Sequence, residues 1–166
     1  MPITPFHFGL GAAIHALAPK HVSFLAFCAS NVLIDVEPLY FLLTDPGPVH
    51  RFFHTYIGAS LVAVATVLLF ACCRWLASRL SLPNPFKWQE LGLWSVTGGA
   101  AAGTYSHIVL DSLMHHDITP LAPFSNANPL LQAVSLDSLH WFCLAAGAAG
   151  LCVLGIRRLL RKENVP

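Results

Sequence analysis

Three stretches of this chain, residues 55–73, 91–110 and 139–156, each run for at least eighteen residues without an Asp, Glu, Lys or Arg. About twenty apolar residues in a helix cross the roughly 30 Å hydrocarbon core of a bilayer. A helix also satisfies its own backbone donors and acceptors where water cannot. Each run is therefore expected to be a membrane-spanning helix. Two further runs are weaker. Residues 8–19 are too few for a full crossing, and residues 22–43 are interrupted by Asp35, Glu37 and Pro38. Proline removes a helix hydrogen bond, so Pro38 predicts a kink. The expected fold is all-α, an integral membrane bundle of about five helices. The first is short, the second is kinked, and residues 1–166 form a single domain.

Composition agrees with that reading. The chain is 55% hydrophobic and only 10% charged, with mean hydropathy +0.63, whereas soluble domains carry about 25% charged residues. A net charge of +1 with no basic block indicates no nucleic-acid partner. Cys28, Cys72, Cys73, Cys143 and Cys152 lie in apolar runs without a CxxC pair. They read as small hydrophobes rather than disulfides or ligands. The amino-terminal residues lack the basic region of a cleavable signal peptide. Proline-rich breaks at Asp45-Pro-Gly-Pro48 and Pro83-Asn-Pro85 mark loops. A long polar connection from Thr119 to Pro129 has the length of a functional loop.

Charge gives the bundle two ends. If the runs alternate in direction, Lys20, Arg74, Arg79, Lys87, Arg157, Arg158, Arg161 and Lys162 share one side, which the positive-inside rule makes cytoplasmic. Arg51 alone among the cations falls opposite, with most of the acids and histidines. Lys87 to His107, Arg74 to His54 and Arg157 to Asp137 are each twenty residues, about 30 Å at about 1.5 Å per residue. Polar groups from several segments are thus expected at one level, near the extracytoplasmic boundary.

The residues at that level suit metal binding. His107, Asp111 and His115 are spaced i, i+4, i+8 on one helical ridge. An Asp near mid-membrane costs about 2.5–3.5 kcal/mol on insertion scales, and a cation is a simple offset. Gly99 and Gly103 continue the ridge as a small-xxx-small pattern, allowing close helix approach. His50 and His54 form a second i, i+4 pair. His54, nearer the apolar run, is the better ligand candidate, while His50 could serve as an outer group or proton donor. Asp35 follows an apolar run and needs a partner, either a metal or Arg51. Glu37 is open between ligand, general base and solvated carboxylate. His7 reads alone as an interfacial histidine, with Gly9 and Gly11 allowing close backbone approach. Asp137 and His140 could pair, or Asp137 could cap its helix. His116 and Asp117 read as loop groups, and His15 and His21 as bystanders.

A His/Asp set without cysteine favours zinc, with manganese or iron as alternatives. Six or more candidate ligands exceed what one tetrahedral ion needs, so one to three ions are expected. Two ions about 3.5–4 Å apart are suited to clamping a phosphoester.

The segments Thr4-Pro-Phe-His7, Asp35-Val-Glu37-Pro38, His50 with His54-Thr55, and Gly103-Thr-Tyr-Ser-His107-Ile-Val-Leu-Asp111-Ser-Leu-Met, followed by Pro120-Leu-Ala-Pro123-Phe, resemble the bacterial inner-membrane metal-dependent hydrolase family. The family often separates its two histidines by four residues, where this chain has three. The resemblance implies an α-helical membrane protein with a His/Asp metal site. It also suggests kinship to zinc-dependent phospholipase C and P1-type nucleases. By that analogy His7, Asp35, His54, His107 and Asp111 are the ligands. The expected activity is a metal-dependent phosphoesterase acting on a lipid or lipid-linked phosphate at the outer face of a bacterial cytoplasmic membrane, as a multi-pass protein. In that reading Glu37 or His115 supplies a further ligand or acid–base group, His50 a proton donor, and Arg51 a contact to a phosphate oxygen. The competing expectations are a metal-ion transporter or sensor, and a non-catalytic scaffold with a structural metal.

Overall fold

The computed structural model describes residues 5–45 and 47–163. Thr4, Pro46 and the side chains of Arg161 and Lys162, all named above, lie outside what it describes. Six α-helices follow in order: α1 (Pro5–Leu17), α2 (Phe24–Ile34), α3 (Val36–Thr44), α4 (Tyr56–Leu80), α5 (Leu93–Met114) and α6 (Leu136–Glu163). Helix accounts for 73% of the structure, and there is no strand among the described residues. α2 and α3 continue one another as a single helix bent by 24°. The bundle therefore has five helices, the first short and the second kinked.

The bend has a local cause, and it lies upstream of the proline. Pro38 has no N–H to give the carbonyl of Ile34, and its ring crowds that carbonyl. The helix breaks at Asp35 and resumes with Leu39 N–H bonded to Asp35 O at 3.1 Å. Asp35 thus stands at the corner, closing α2 through its own N–H to Leu33 O and opening α3. A proline three residues on is what places a carboxylate at the joint.

Three segments are long and apolar enough to cross a membrane: Phe24–Thr44, Tyr56–Leu80 and Leu136–Leu160. Their outward faces expose Leu61, Val64, Leu68, Leu144 and Leu151, as lipid-facing sides would. α5 has the length, 22 residues, or about 33 Å, but is not among the three. Its charge-free stretch up to Leu110 is rich in Gly, Ala, Ser and Thr rather than Leu and Val, and Asp111 follows it. The reason is its place: α5 packs against α1, α2 and α4, and eleven of its residues are buried. A helix packed against three others needs small residues for close contact on those faces more than it needs oil solubility.

Gly99 and Gly103 serve that contact. A Cβ at Gly99 would strike the carbonyl of Ser23, and one at Gly103 the hydroxyl of Ser30 and the carbonyl of Phe27. α2 and α5 therefore touch backbone to backbone just before the ridge reaches His107. α1 lies along α6 in the same way, with Gly9 against the Cys143 carbonyl and Gly150 against Ala12. At the basic end the Arg157 guanidinium donates to the Ala16 carbonyl. Carbonyls of a last helical turn lack helix partners and attract cations. Ser23, Thr55 and Ser135 accept N–H bonds from Ala26, Gly58 and Ser138 at helix starts. Ser135 rather than Asp137 thus provides the side-chain cap of α6, and Asp137 is exposed.

Candidate metal centre

The polar groups gather where the carboxyl end of α5 meets the α2–α3 corner, the start of α4 and the start of α1. α5 presents His107 and Asp111 on one ridge. The corner supplies Asp35. A single 3-10 turn, Phe52–His54, supplies His54 just ahead of α4. α1 supplies His7. His7, His54, His107 and Asp111 are each at most 3% exposed, so their polar atoms must find partners within the protein.

Those partners are mostly one another. His107 Nε2 lies 3.1 Å from Asp35 Oδ1 and 3.2 Å from Asp111 Oδ2. His54 Nε2 lies 3.6 Å from Asp35 Oδ1 and 3.7 Å from Asp111 Oδ2. One donor atom from each of Asp35, His54, His107 and Asp111 falls within 4.8 Å of all the others. The Nε2 atoms of His54 and His107 are buried yet make no hydrogen bond. Buried imidazole nitrogens without hydrogen bonds are rare in folded proteins. Pointed at two carboxylates from different helices, they form a set of electron-pair donors around one point. This group can hold a metal ion. The Asp35 side chain is 29% exposed, which gives the centre an edge open to solvent.

The supporting shell fits the same purpose. His107 Nδ1 donates to Asn31 Oδ1 at 2.9 Å, which turns Nε2 and its lone pair to the centre. Asn31 is itself fixed by donating to Phe27 O at 2.9 Å. Glu37 Oε2 accepts the Phe53 N–H at 2.7 Å and lies 3.9 Å from His54 Nδ1. Glu37 therefore anchors the turn that carries His54. His7 Nε2 is 3.0 Å from Asp111 Oδ1, and its ring stacks on His107 with centroids 4.4 Å apart. The structure thus brings His7 to the carboxylate rather than into the group of mutually close donors. Below the centre, Ile34, Ala59, Val62 and Ile108 form a dry apolar cluster.

A second set adjoins the first. The His50 and His115 rings meet at a tilt of 34° with centroids 4.4 Å apart, and donor atoms from His50, Asp111 and His115 lie within 4.8 Å of one another. Asp117 accepts from His50 Nδ1 at 2.9 Å and also takes the N–H groups of Val49 and His50. Burial pushes His50 below its ordinary value, and Asp117 offsets this only in part. The Asp117 carboxylate can only accept, so Nδ1 of His50 carries the proton of that contact. Burial raises the Asp117 carboxyl, but the His50 hydrogen bond, the His50 charge and the backbone N–H groups together outweigh it and hold it below the usual range.

Several expected groups stand elsewhere. Arg51 Nη2 donates to Asp45 Oδ2 at 2.5 Å and Nε to Pro48 O at 2.9 Å. Its guanidinium carbon lies 3.6 Å from the centre of the Phe41 ring, so Arg51 is engaged by its own loop, and its acidic partner is Asp45 rather than Asp35. His140 packs on Phe6 with centroids 4.6 Å apart. His15 Nδ1 donates to Val22 O at 2.6 Å. The cysteines of the described residues are free thiols. Asn31 is not among the candidates read from the sequence, and Asp117 is among them only as a loop group. Asn31 had a signal, as a lone amide in an apolar stretch one helical turn before Asp35. Asp117 had none, because its partners lie 67 and 68 residues away.

No protein-family model, curated protein or solved structure matches this chain. The centre stands on its own geometry.

Losing an outer partner of a metal-binding histidine lowers metal affinity by about 10–100-fold. Asn31→Ala is expected to do so here while sparing the fold, as measured by competition with a chromophoric chelator. An unchanged affinity would mean that His107 is oriented by other contacts.

Proposed function

We propose that this chain is a multi-pass metal-dependent hydrolase of a bacterial cytoplasmic membrane, acting on the phosphoester of a lipid or lipid-linked substrate at the outer face. The observation that carries this reading is the pair of buried, unbonded imidazole nitrogens of His54 and His107 facing Asp35 and Asp111. In this reading Asp35, His54, His107 and Asp111 hold the ion, and the nitrogen-and-oxygen donor set favours zinc, with manganese or iron as alternatives. A divalent ion held by these residues would supply Lewis-acid activation of a phosphoryl oxygen and of water. His7 steadies Asp111, Asn31 orients His107, and Glu37 fixes the turn that carries His54. The exposed edge at Asp35 opens the centre to solvent, while the apolar cluster around Ile34 and Ile108 backs it. The positive-inside rule, applied to the basic residues at the opposite ends of the helices, supports an extracytoplasmic position.

The test is hydrolysis by detergent-purified, metal-loaded protein of phospholipids, lipid diphosphates and generic phosphomonoesters and phosphodiesters. Release of phosphate or headgroup that stops with chelator supports the reading. A metal-loaded protein that cleaves none of them contradicts it. Metal uptake into proteoliposomes without hydrolysis would instead favour a transporter.

The pH dependence of binding has a definite sign. Burial lowers His54, but the Asp35 and Glu37 carboxylates outweigh it and hold this imidazole above its ordinary value. A proton therefore competes with an ion at His54 from a higher pH than at a free imidazole. Affinity is expected to fall as pH drops through that raised value, with proton uptake on release. Equilibrium dialysis across pH 8 to 5 checks this, and pH-independent retention would contradict it.

A further inference from the structure

We propose that His50, Asp111 and His115 form a second divalent-cation site that shares the Asp111 carboxylate with the first. The inference rests on the reading of Asp35, His54, His107 and Asp111 as a metal centre. Three observations converge on it. The donor atoms of His50, Asp111 and His115 lie within 4.8 Å of one another, a spacing that small side-chain adjustments can close around one ion. Nε2 of His115 is buried and makes no hydrogen bond, as do the nitrogens at the first centre. Nδ1 of His50 is held by Asp117 at 2.9 Å. That carboxylate–histidine contact fixes the tautomer of metal-binding histidines and leaves the other nitrogen free to bind.

Asp111 belongs to both groups and has two oxygens. A shared carboxylate sets two ions at the close spacing, about 3.5–4 Å, that suits phosphoester substrates. The two sites would differ in kind. The first takes four protein donors, three of them buried, whereas the second takes three, and His50 and His115 are only partly buried. Three protein ligands on an open side leave a coordination position for an outside oxygen. The second site is therefore where a phosphate oxyanion would enter.

The experiment uses full-length protein in detergent, stripped with chelator and reloaded with Mn²⁺ or Zn²⁺. Elemental analysis gives ions per chain, and electron paramagnetic resonance of the Mn²⁺ form reports coupling between neighbouring ions. Two ions per wild-type chain with a coupled spectrum are expected. His115→Gln and His50→Gln should each bind one ion and lose the coupling. A single ion per saturated wild-type chain overturns the second site without recourse to any variant. Two ions retained in folded His115→Gln overturn it as well. Two coupled ions in a protein that hydrolyses no phosphoester would leave this site standing and remove the hydrolase reading. No bound ion would overturn both centres.

Discussion

On the proposed reading, Asp111→Ala is expected to release the metal and abolish the proposed hydrolysis together, and it should be the most damaging single change in the centre. The carboxylate lies 3.0 Å from His7, 3.2 Å from His107 and 3.7 Å from His54, and it belongs to both donor groups. Removing it takes away a ligand and most of the negative charge within the buried part of the site. Loss of an outer partner alone costs about 10–100-fold in affinity, so loss of the shared ligand should exceed about 100-fold. The fold need not collapse, since the variant also removes a buried charge. Asp111→Asn is the sharper companion: it keeps shape and an acceptor oxygen but not the charge. Metal content per chain and phosphoesterase activity should fall together in both variants. Full metal content in folded Asp111→Ala would contradict the assignment.

Gly103→Val should be the most damaging change away from the donor atoms. A Cβ at this position would run into the Ser30 hydroxyl and the Phe27 carbonyl and would sit 3.0 Å from Asn31 Nδ2. Backbone cannot move aside as a flexible side chain can, so α2 must shift away from α5. Overpacking of this kind costs about 1–3 kcal/mol. The same shift displaces Asn31 from His107 and Asp35 from the centre, because both ride on α2 or its end. Thermal stability in detergent and metal affinity should therefore drop together. Gly92→Ala, where a Cβ meets nothing within 4 Å, is the matched control. Normal metal affinity in Gly103→Val would mean that the α2–α5 contact does not set the site.

Much of the architecture was legible in the chain because lipid imposes simple demands. Charge-free runs marked α4, α5 and α6, and Pro38 marked a bend. The bend falls at Asp35 because a proline disturbs the carbonyl four residues before it. Periodicity carried His107 and Asp111, which lie on one ridge whatever the tertiary fold. It could not distinguish the charge-free run 91–110, packed against α1, α2 and α4, from a lipid-facing run, since neither carries charge. Only their Gly, Ala, Ser and Thr content differs. Residues recruited across the bundle were harder. Asn31 meets His107 at a separation of 76 residues, and His7 meets Asp111 at 104. No local pattern specifies either pair. For Arg51 the sequence shows a cation on the histidine-rich side, open to Asp35 or to a phosphate oxygen. The turn at Gly47 folds Asp45 back onto Arg51, with Gly47 N–H bonded to Asp45 Oδ1 at 3.0 Å.

The central claim is that histidines and aspartates from separate helices surround a common cation. X-ray absorption at the zinc edge of detergent-purified protein tests it most directly. A bound ion with an all-nitrogen-and-oxygen shell near about 2.0–2.2 Å and imidazole scattering beyond is the predicted result. Protein that retains no zinc, or zinc with a sulfur shell near about 2.3 Å, would contradict it.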